Sequence, residues 1–339
     1  MMMKSRINTF KKSHGLTLVE LMIAVTVSAI LMLGVAEIFS LNKESYNVQD
    51  ENARMQESGR YAFNLLMQDI RRSGYFGGNA SISSITGSSS LATPDTNCLE
   101  STTTSWGRML LRPIYGLDDT NAGYNGANGC IPDADYSQGD ILVTRYTKGS
   151  DVSTATMAAN PNRLYIRNSL FVGRLFVGSL EAQTTAGADN SVSETPVVVK
   201  ELAANAYYVG PSGRNCRFND TANNAIPIPA LFREVLSSTG FPEREEVANG
   251  IEHIQFQYGV DINGDSSVNR YHNADELNNT ATPPSWDQVV TVRLWVLVRA
   301  DCPSNDYSNT KTYAMGDTPF VANDKFKRQL YSTTVTVRN

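Results

Sequence analysis

A chain of 339 residues, 41% hydrophobic and 19% charged, has the bulk for one large folded domain or two modest ones. Its formal charge of −5 and the lack of a basic cluster beyond the first twelve residues argue against nucleic acid as a partner. No Cys-x-x-Cys pair occurs, which removes zinc ribbons and thioredoxin-type redox chemistry, and Gly-x-Ser-x-Gly, Gly-x-x-x-x-Gly-Lys and His-Glu-x-x-His are all missing.

The first fourteen residues carry Lys4, Arg6, Lys11 and Lys12 and no acid. Gly15-Leu16-Thr17-Leu18-Val19-Glu20 follows, and the run Leu16 to Ala36 holds a single charge, Glu20. A secretory signal places its cut after the apolar region. Here the small residue suited to a cut, Gly15, precedes it, so cleavage would remove the basic leader and keep the apolar helix. The loss of four positive charges takes the mature chain from −5 to −9. An apolar stretch of about 20 residues crosses a bilayer. The basic leader stays in the cytoplasm and sends the rest of the chain outward.

No proline occurs between Leu16 and Thr93, which permits one helix from Leu16 to Ser73, about 85 Å long at about 1.5 Å per residue. Gly34 is a soft point in it. Beyond Ser40 the pattern turns amphipathic. Met55, Gly59, Ala62, Leu66 and Ile70 make one apolar stripe, with Asn64, Gln68 and Arg71 on other faces. Gly74, Gly77 and Gly78 stop the helix. The reading thus divides the chain into a leader (1–15), a membrane and assembly half of the helix (16–40), an amphipathic half (41–78) and a β-rich domain (79–339).

Asn79 to Ser105 is rich in Ser and Thr and reads as a loop. Strands are predicted at 141–146, at 196–200, at 206–209, and as a hairpin of 163–167 with 170–177. Ile254, Phe256, Tyr258 and Val260 alternate with polar residues, as do Val290, Val292, Leu294, Val296 and Val298, and the last strand lies near 329–337. A long helix followed by mostly antiparallel strands is an α+β pattern. Cys98, Cys130, Cys216 and Cys302 are an even set in an exported domain, which favours two disulfides. Three connectivities are open; Cys98–Cys130 with Cys216–Cys302 is favoured because its first pair closes the shortest loop.

Asp261, Asn263, Asp265 and Ser267 place side-chain oxygens at alternate positions, like the first half of a calcium loop. The sixth loop position lacks Gly and His272 stands at the twelfth, so Ca2+ binding competes with a plain Asx-rich turn. No other cofactor is indicated. His14 leaves with the leader, His253 is expected to face solvent from a strand, and His272 to sit in a turn. Asp118-Asp119 and Glu245-Glu246 read as solvated loop charges.

The N-terminal block resembles the prepilin processing site of type IV pilins and type II secretion pseudopilins. Three C-terminal stretches, Gly250 to Gly259, Trp286 to Arg299 and Tyr331 to Asn339, resemble PilW-type minor pilins. The resemblance implies a type IV pilin-like fold, a long helical spine packed on an antiparallel sheet. It also implies cleavage between Gly15 and Leu16 by the prepilin peptidase, and N-methylation of Leu16. Glu20 becomes the acid that meets a neighbouring subunit's N-terminal amine and fixes the stagger between subunits. Its alternative role is to sit at the membrane interface, favoured by the helix dipole. Other minor pilins and the major pilin are the implied partners. The implied course runs from the inner membrane, with the C-terminal domain in the periplasm, to the pilus tip. Roles in pilus assembly, twitching motility and adhesion follow, without enzymatic activity. A type II secretion pseudopilin, or an anchored adhesin or ligand-binding module, is the alternative.

Overall fold

A computed structural model describes residues 15, 17–78, 82–87, 106–119, 130–179, 197–216, 226–236, 242–279, 285–304 and 306–337. Helix α1 spans Leu18–Arg72 and runs without a break through Gly34. It ends where Gly74 takes a φ of 87°, a conformation that costs Gly little. The chain divides into two compact units, Met1–Asn52 and Ala53–Asn339, so the division falls inside the helix.

In the first unit the apolar residues of α1 are exposed on every side, Leu18 at 76% and Leu33 at 72%. This is a helix long and apolar enough to cross a membrane, and none of its apolar window is buried. In the second unit α1 buries Met55, Gly59, Ala62, Leu66 and Ile70, the predicted stripe, and Asp69 with them.

The strands are β1 (Ile85–Thr86), β2 (Ile114–Leu117), β3 (Gln138–Asp151), β4 (Leu164–Asn168), β5 (Gly173–Val177), β6 (Val198–Cys216), β7 (Ile226–Leu236), β8 (Pro242–Asn249), β9 (Ile251–Val260), β10 (Arg270–His272), β11 (Val289–Arg299), β12 (Thr312–Tyr313), β13 (Phe320–Val321) and β14 (Arg328–Thr336). Two short helices, α2 (Thr154–Ala159) and α3 (Ala274–Asn278), join them. Among the described residues one sheet of eight strands runs β1-β5-β4-β6-β3-β2, with β7 added to β6 and β8 to β7. A second sheet of four runs β10-β9-β11-β14, and β12 pairs with β13. Among the described residues only the short β1–β5 pairing is parallel. The class is α+β, as expected.

The main core of the second unit joins α1 to both sheets. Ala62, Leu66 and Ile70 of α1 meet Leu142 and Tyr207 of the large sheet and Phe256, Leu294 and Val296 of the small one. At Gly59 helix and small sheet approach closely. A Cβ built there would lie 2.5 Å from the Tyr331 ring and 2.9 Å from Val298. The two sheets are stitched by side chains from β3. The Gln138 amide donates to the Glu252 carbonyl at 2.8 Å, and the Phe256 N–H donates to Asp140 at 2.6 Å. These bonds satisfy an edge of β9 that β10 is too short to cover.

Three expectations about the strands need correction. The predicted strands at 196–200 and 206–209 are one strand, β6, and β7 and β8 are additional. Prolines hid them. Pro211 and Pro229 stand opposite each other in the β6–β7 ladder, where neither withholds a donor the other could use, and the register shifts just beyond. Glu245 and Glu246 lie on β8, not in a loop, and pair with Arg233 and Arg214. His253 does not face solvent: it is 4% exposed, with its ring edge-on to Phe320 at 5.8 Å. The same face of β9 carries Gln255, fully buried beneath Gly316. The connection from β11 to β14 covers this face, and strand alternation cannot reveal a cover supplied from 60 residues away.

Candidate assembly and processing site

The processing motif sits at the helix start. Gly15 is exposed, and Leu16 lies outside the described residues. Thr17 caps α1. Its backbone N–H and its hydroxyl each donate to Glu20 Oε2 at 3.0 Å, and the Glu20 N–H donates to Thr17 Oγ1 at 3.3 Å. This is a reciprocal capping box, with an anion where the helix dipole favours one. Such a cap stabilises a helix start by about 1 kcal/mol. Thr-Leu-Val-Glu therefore has a use within the single chain, beyond any role between chains. Glu20 is exposed here, with carboxylate capacity left for a further donor.

The second half of the helix is fastened by a residue that sequence patterning missed. Asp69 is 2% exposed and accepts three hydrogen bonds from the large sheet. Tyr146 of β3 donates to Oδ1 at 2.8 Å; Asn205 and Tyr207 of β6 donate to Oδ2, each at 2.6 Å. Burial first, and then the Asp69 carboxylate, push the Tyr146 hydroxyl up to about 12, so it remains a donor. The signal was present, since Asp69 follows Leu66 by three and precedes Ile70 by one, inside the apolar stripe. A buried charge in such a stripe implies donors opposite it.

A second acidic group lies where the sheets meet. Asp140 Oδ1 accepts from the Asp119 N–H at 3.2 Å, and its other oxygen holds Phe256. Desolvation raises the Asp140 carboxyl well above its ordinary value. Asp118, half-buried, is pushed up to about 6 by desolvation and by the charges of Asp317 and Asp275. Asp119 behaves oppositely. The His253 imidazole, its Nε2 3.8 Å from Asp119 Oδ2, lowers it despite partial burial, helped by the Gly139 N–H at 3.1 Å. Asp118 and Asp119 are thus structural acids of the joint, which corrects their reading as solvated loop charges. His272 is likewise not in a turn: it ends β10, with Nδ1 2.7 Å from Glu276.

Cys216, at the end of β6, is disulfide-bonded to Cys302, just beyond β11, so the bond ties the large sheet to the small one. Cys130 is disulfide-bonded as well. Cys98, the partner assigned to it from sequence, lies outside the described residues.

In the loop after β9, Asp261 turns both oxygens onto the loop's own backbone, accepting from Gly264 N–H at 2.7 Å and Ser266 N–H at 2.6 Å. Asn263 accepts from the Asp265 N–H at 3.3 Å, and Asp265 accepts from the Ser267 N–H at 2.8 Å. Ser266 takes a φ of 64° at the sixth position. Asx turns close the loop on its own backbone. Among the described residues no three His, Cys, Asp or Glu side chains form a metal-holding group.

The site residues do not converge on one cleft. Gly15, Thr17 and Glu20 form one locus at the helix start; the others brace the folded unit. Residues 206–339 match the family model of the Type IV Pilus-assembly protein W, and residues 10–36 match the Prokaryotic N-terminal methylation motif. No curated protein and no solved structure matches the chain. The first match takes in the whole four-stranded sheet, and the second takes in Gly15, Thr17 and Glu20. Together, matches at both ends and a long helix followed by antiparallel sheets support a PilW-type pilin with a prepilin cleavage site.

Proposed function

We propose that this chain is a minor pilin that primes or caps the type IV pilus. The carrying observation is the apolar half of α1, exposed all round directly behind the methylation motif. A helix with that surface needs lipid, or other helices, on every side. It serves first as a single-pass anchor in the inner membrane, with the β-rich domain in the periplasm, and then as a spine among other pilins. The prepilin peptidase cuts between Gly15 and Leu16 and methylates Leu16. Assembly energy comes from helix packing, and Glu20 sets the stagger by meeting the amine of a neighbour. No catalytic step is assigned. The bulk of the domain beyond the helix suits a low-copy tip position, from which motility and attachment follow.

The test is Glu20→Ala in cells. Export and cleavage proceed, while the variant is lost from sheared pili. Full incorporation overturns the role of Glu20. Retention of residues 1–15 in wild-type chains, read by mass spectrometry, overturns the pilin reading as a whole. Co-purification with secretion components in place of pilins identifies a type II pseudopilin instead.

A further inference from the structure

Among the described residues, the small sheet ends in a strand whose outer edge is unpaired. In the β11–β14 ladder Val335 stands opposite Val292 and Tyr331 opposite Val296. The Val337 N–H donates to the Val290 carbonyl and the Ala300 N–H to the Lys327 carbonyl, which places the hydrogen-bonded pairs at odd-numbered residues of this strand. Leu330, Ser332, Thr334 and Thr336 therefore point both N–H and C=O away from β11. None of the four forms a backbone hydrogen bond outside this ladder. Past its first residue, Arg328, the strand carries none of the usual guards. Gln329 to Thr336 contains no charge, proline or glycine, and Thr333, Thr334, Val335 and Thr336 are all β-branched. The last strand of the large sheet is the opposite case. Glu243, Arg244, Glu245 and Glu246 line β8, and pairing β8 with its own copy would bring like charges together.

We propose that β14 pairs antiparallel with β14 of a second copy of this chain, joining two four-stranded sheets into one of eight. Centred on Thr333, the pairing sets Ser332 opposite Thr334 of the copy and Leu330 opposite its Thr336. All four outward-facing residues on each side are then satisfied, with two hydrogen bonds for each of four pairs. Tyr331 meets Val335 of the copy and hydroxyls meet hydroxyls; just beyond, Arg328, already paired with Glu252 and Asp324, falls opposite position 338 of the copy, an Arg. The absence of charge that leaves this edge unguarded is what makes it self-complementary. The pairing depends only on the folded unit and not on the pilin assignment.

The experiment uses the full chain in detergent micelles. Wild-type chains sediment at twice the monomer mass. A mixture of Ser332→Cys and Thr334→Cys chains gives several-fold more disulfide-linked dimer than either alone. Thr334→Pro removes an N–H that β11 does not use, so it keeps the wild-type melting temperature and sediments as a monomer. Should proline lower the melting temperature, Thr334→Lys guards the same edge without changing the backbone and also gives monomers. Monomeric wild type overturns the proposal. So does a dimer that survives both substitutions, which would mean association through α1, and so does cross-linking no greater in the mixture than in either variant alone.

Discussion

Residues Leu18–Phe39 and Met55–Ile70 belong to one helix, yet they are held by different forces. The first stretch is apolar all round, exposed, and fixed at its start by the Thr17–Glu20 box. The second is apolar on one stripe and is fixed by packing on two sheets and by three hydrogen bonds to Asp69. Helices gain most of their stability from what covers their apolar face. The second stretch therefore finds its cover within the chain, and the first, in the proposed function, finds it in lipid or in other subunits.

This contrast can be broken from either side. Asp69→Ala leaves Tyr146, Asn205 and Tyr207 with buried donors and no acceptor. It is expected to lower unfolding stability by about 3–4 kcal/mol, measured by denaturant titration of the full chain in micelles. Glu20→Ala, in the other half, leaves that transition unmoved while abolishing incorporation into pili. If Asp69→Ala left stability unchanged, the helix would not be fastened as described.

Gly59→Val is expected to cost about 1–3 kcal/mol, because the added side chain enters space held by Tyr331 and Val298. Combining it with Tyr331→Ala should recover part of the loss, since that ring is the nearest obstacle. A simple sum of the two single effects would show that the close approach is not the cause.

The smallest effect concerns pH. Asp118 is raised to about 6 in the folded chain against an ordinary value near 4, so the fold favours its protonated form. Its contribution is fully present below about pH 4 and is lost as pH rises through about 6. Stability should therefore increase from pH 7 to pH 5, on the order of 1 kcal/mol once solvent screening at this half-buried group is allowed for. Asp118→Asn should flatten that part of the curve. Asp119 and Asp324, both lowered, act in the opposite sense, and their loss appears only in stronger acid.

Much of this molecule was legible in its residues. The basic leader, Gly15 and the one-charge apolar run point to a processing motif by composition and order alone, and residues 10–36 match the Prokaryotic N-terminal methylation motif. The helix was expected over 16–73 and lies at Leu18–Arg72, and the stripe from Met55 to Ile70 faces the core as its spacing requires. Those features are local: a 3.6-residue period or a run of apolar residues needs no knowledge of distant chain. The hairpin of β4 and β5 and the alternating strands β9 and β11 were legible for the same reason.

Other features depend on residues brought together from far along the chain. Asp69 acquires its meaning from donors 77 to 138 residues away. His253 is buried because a later excursion folds over it, and Asp118 and Asp119 became joint residues only when β3 met β9. The open edge of β14 follows from which strand came last in the sheet. Sequence determined which segments are apolar, helical or extended, because those depend on neighbours a few residues apart. Tertiary structure decided which polar groups are buried, paired or left open, because desolvation and hydrogen bonding depend on what lies across the fold.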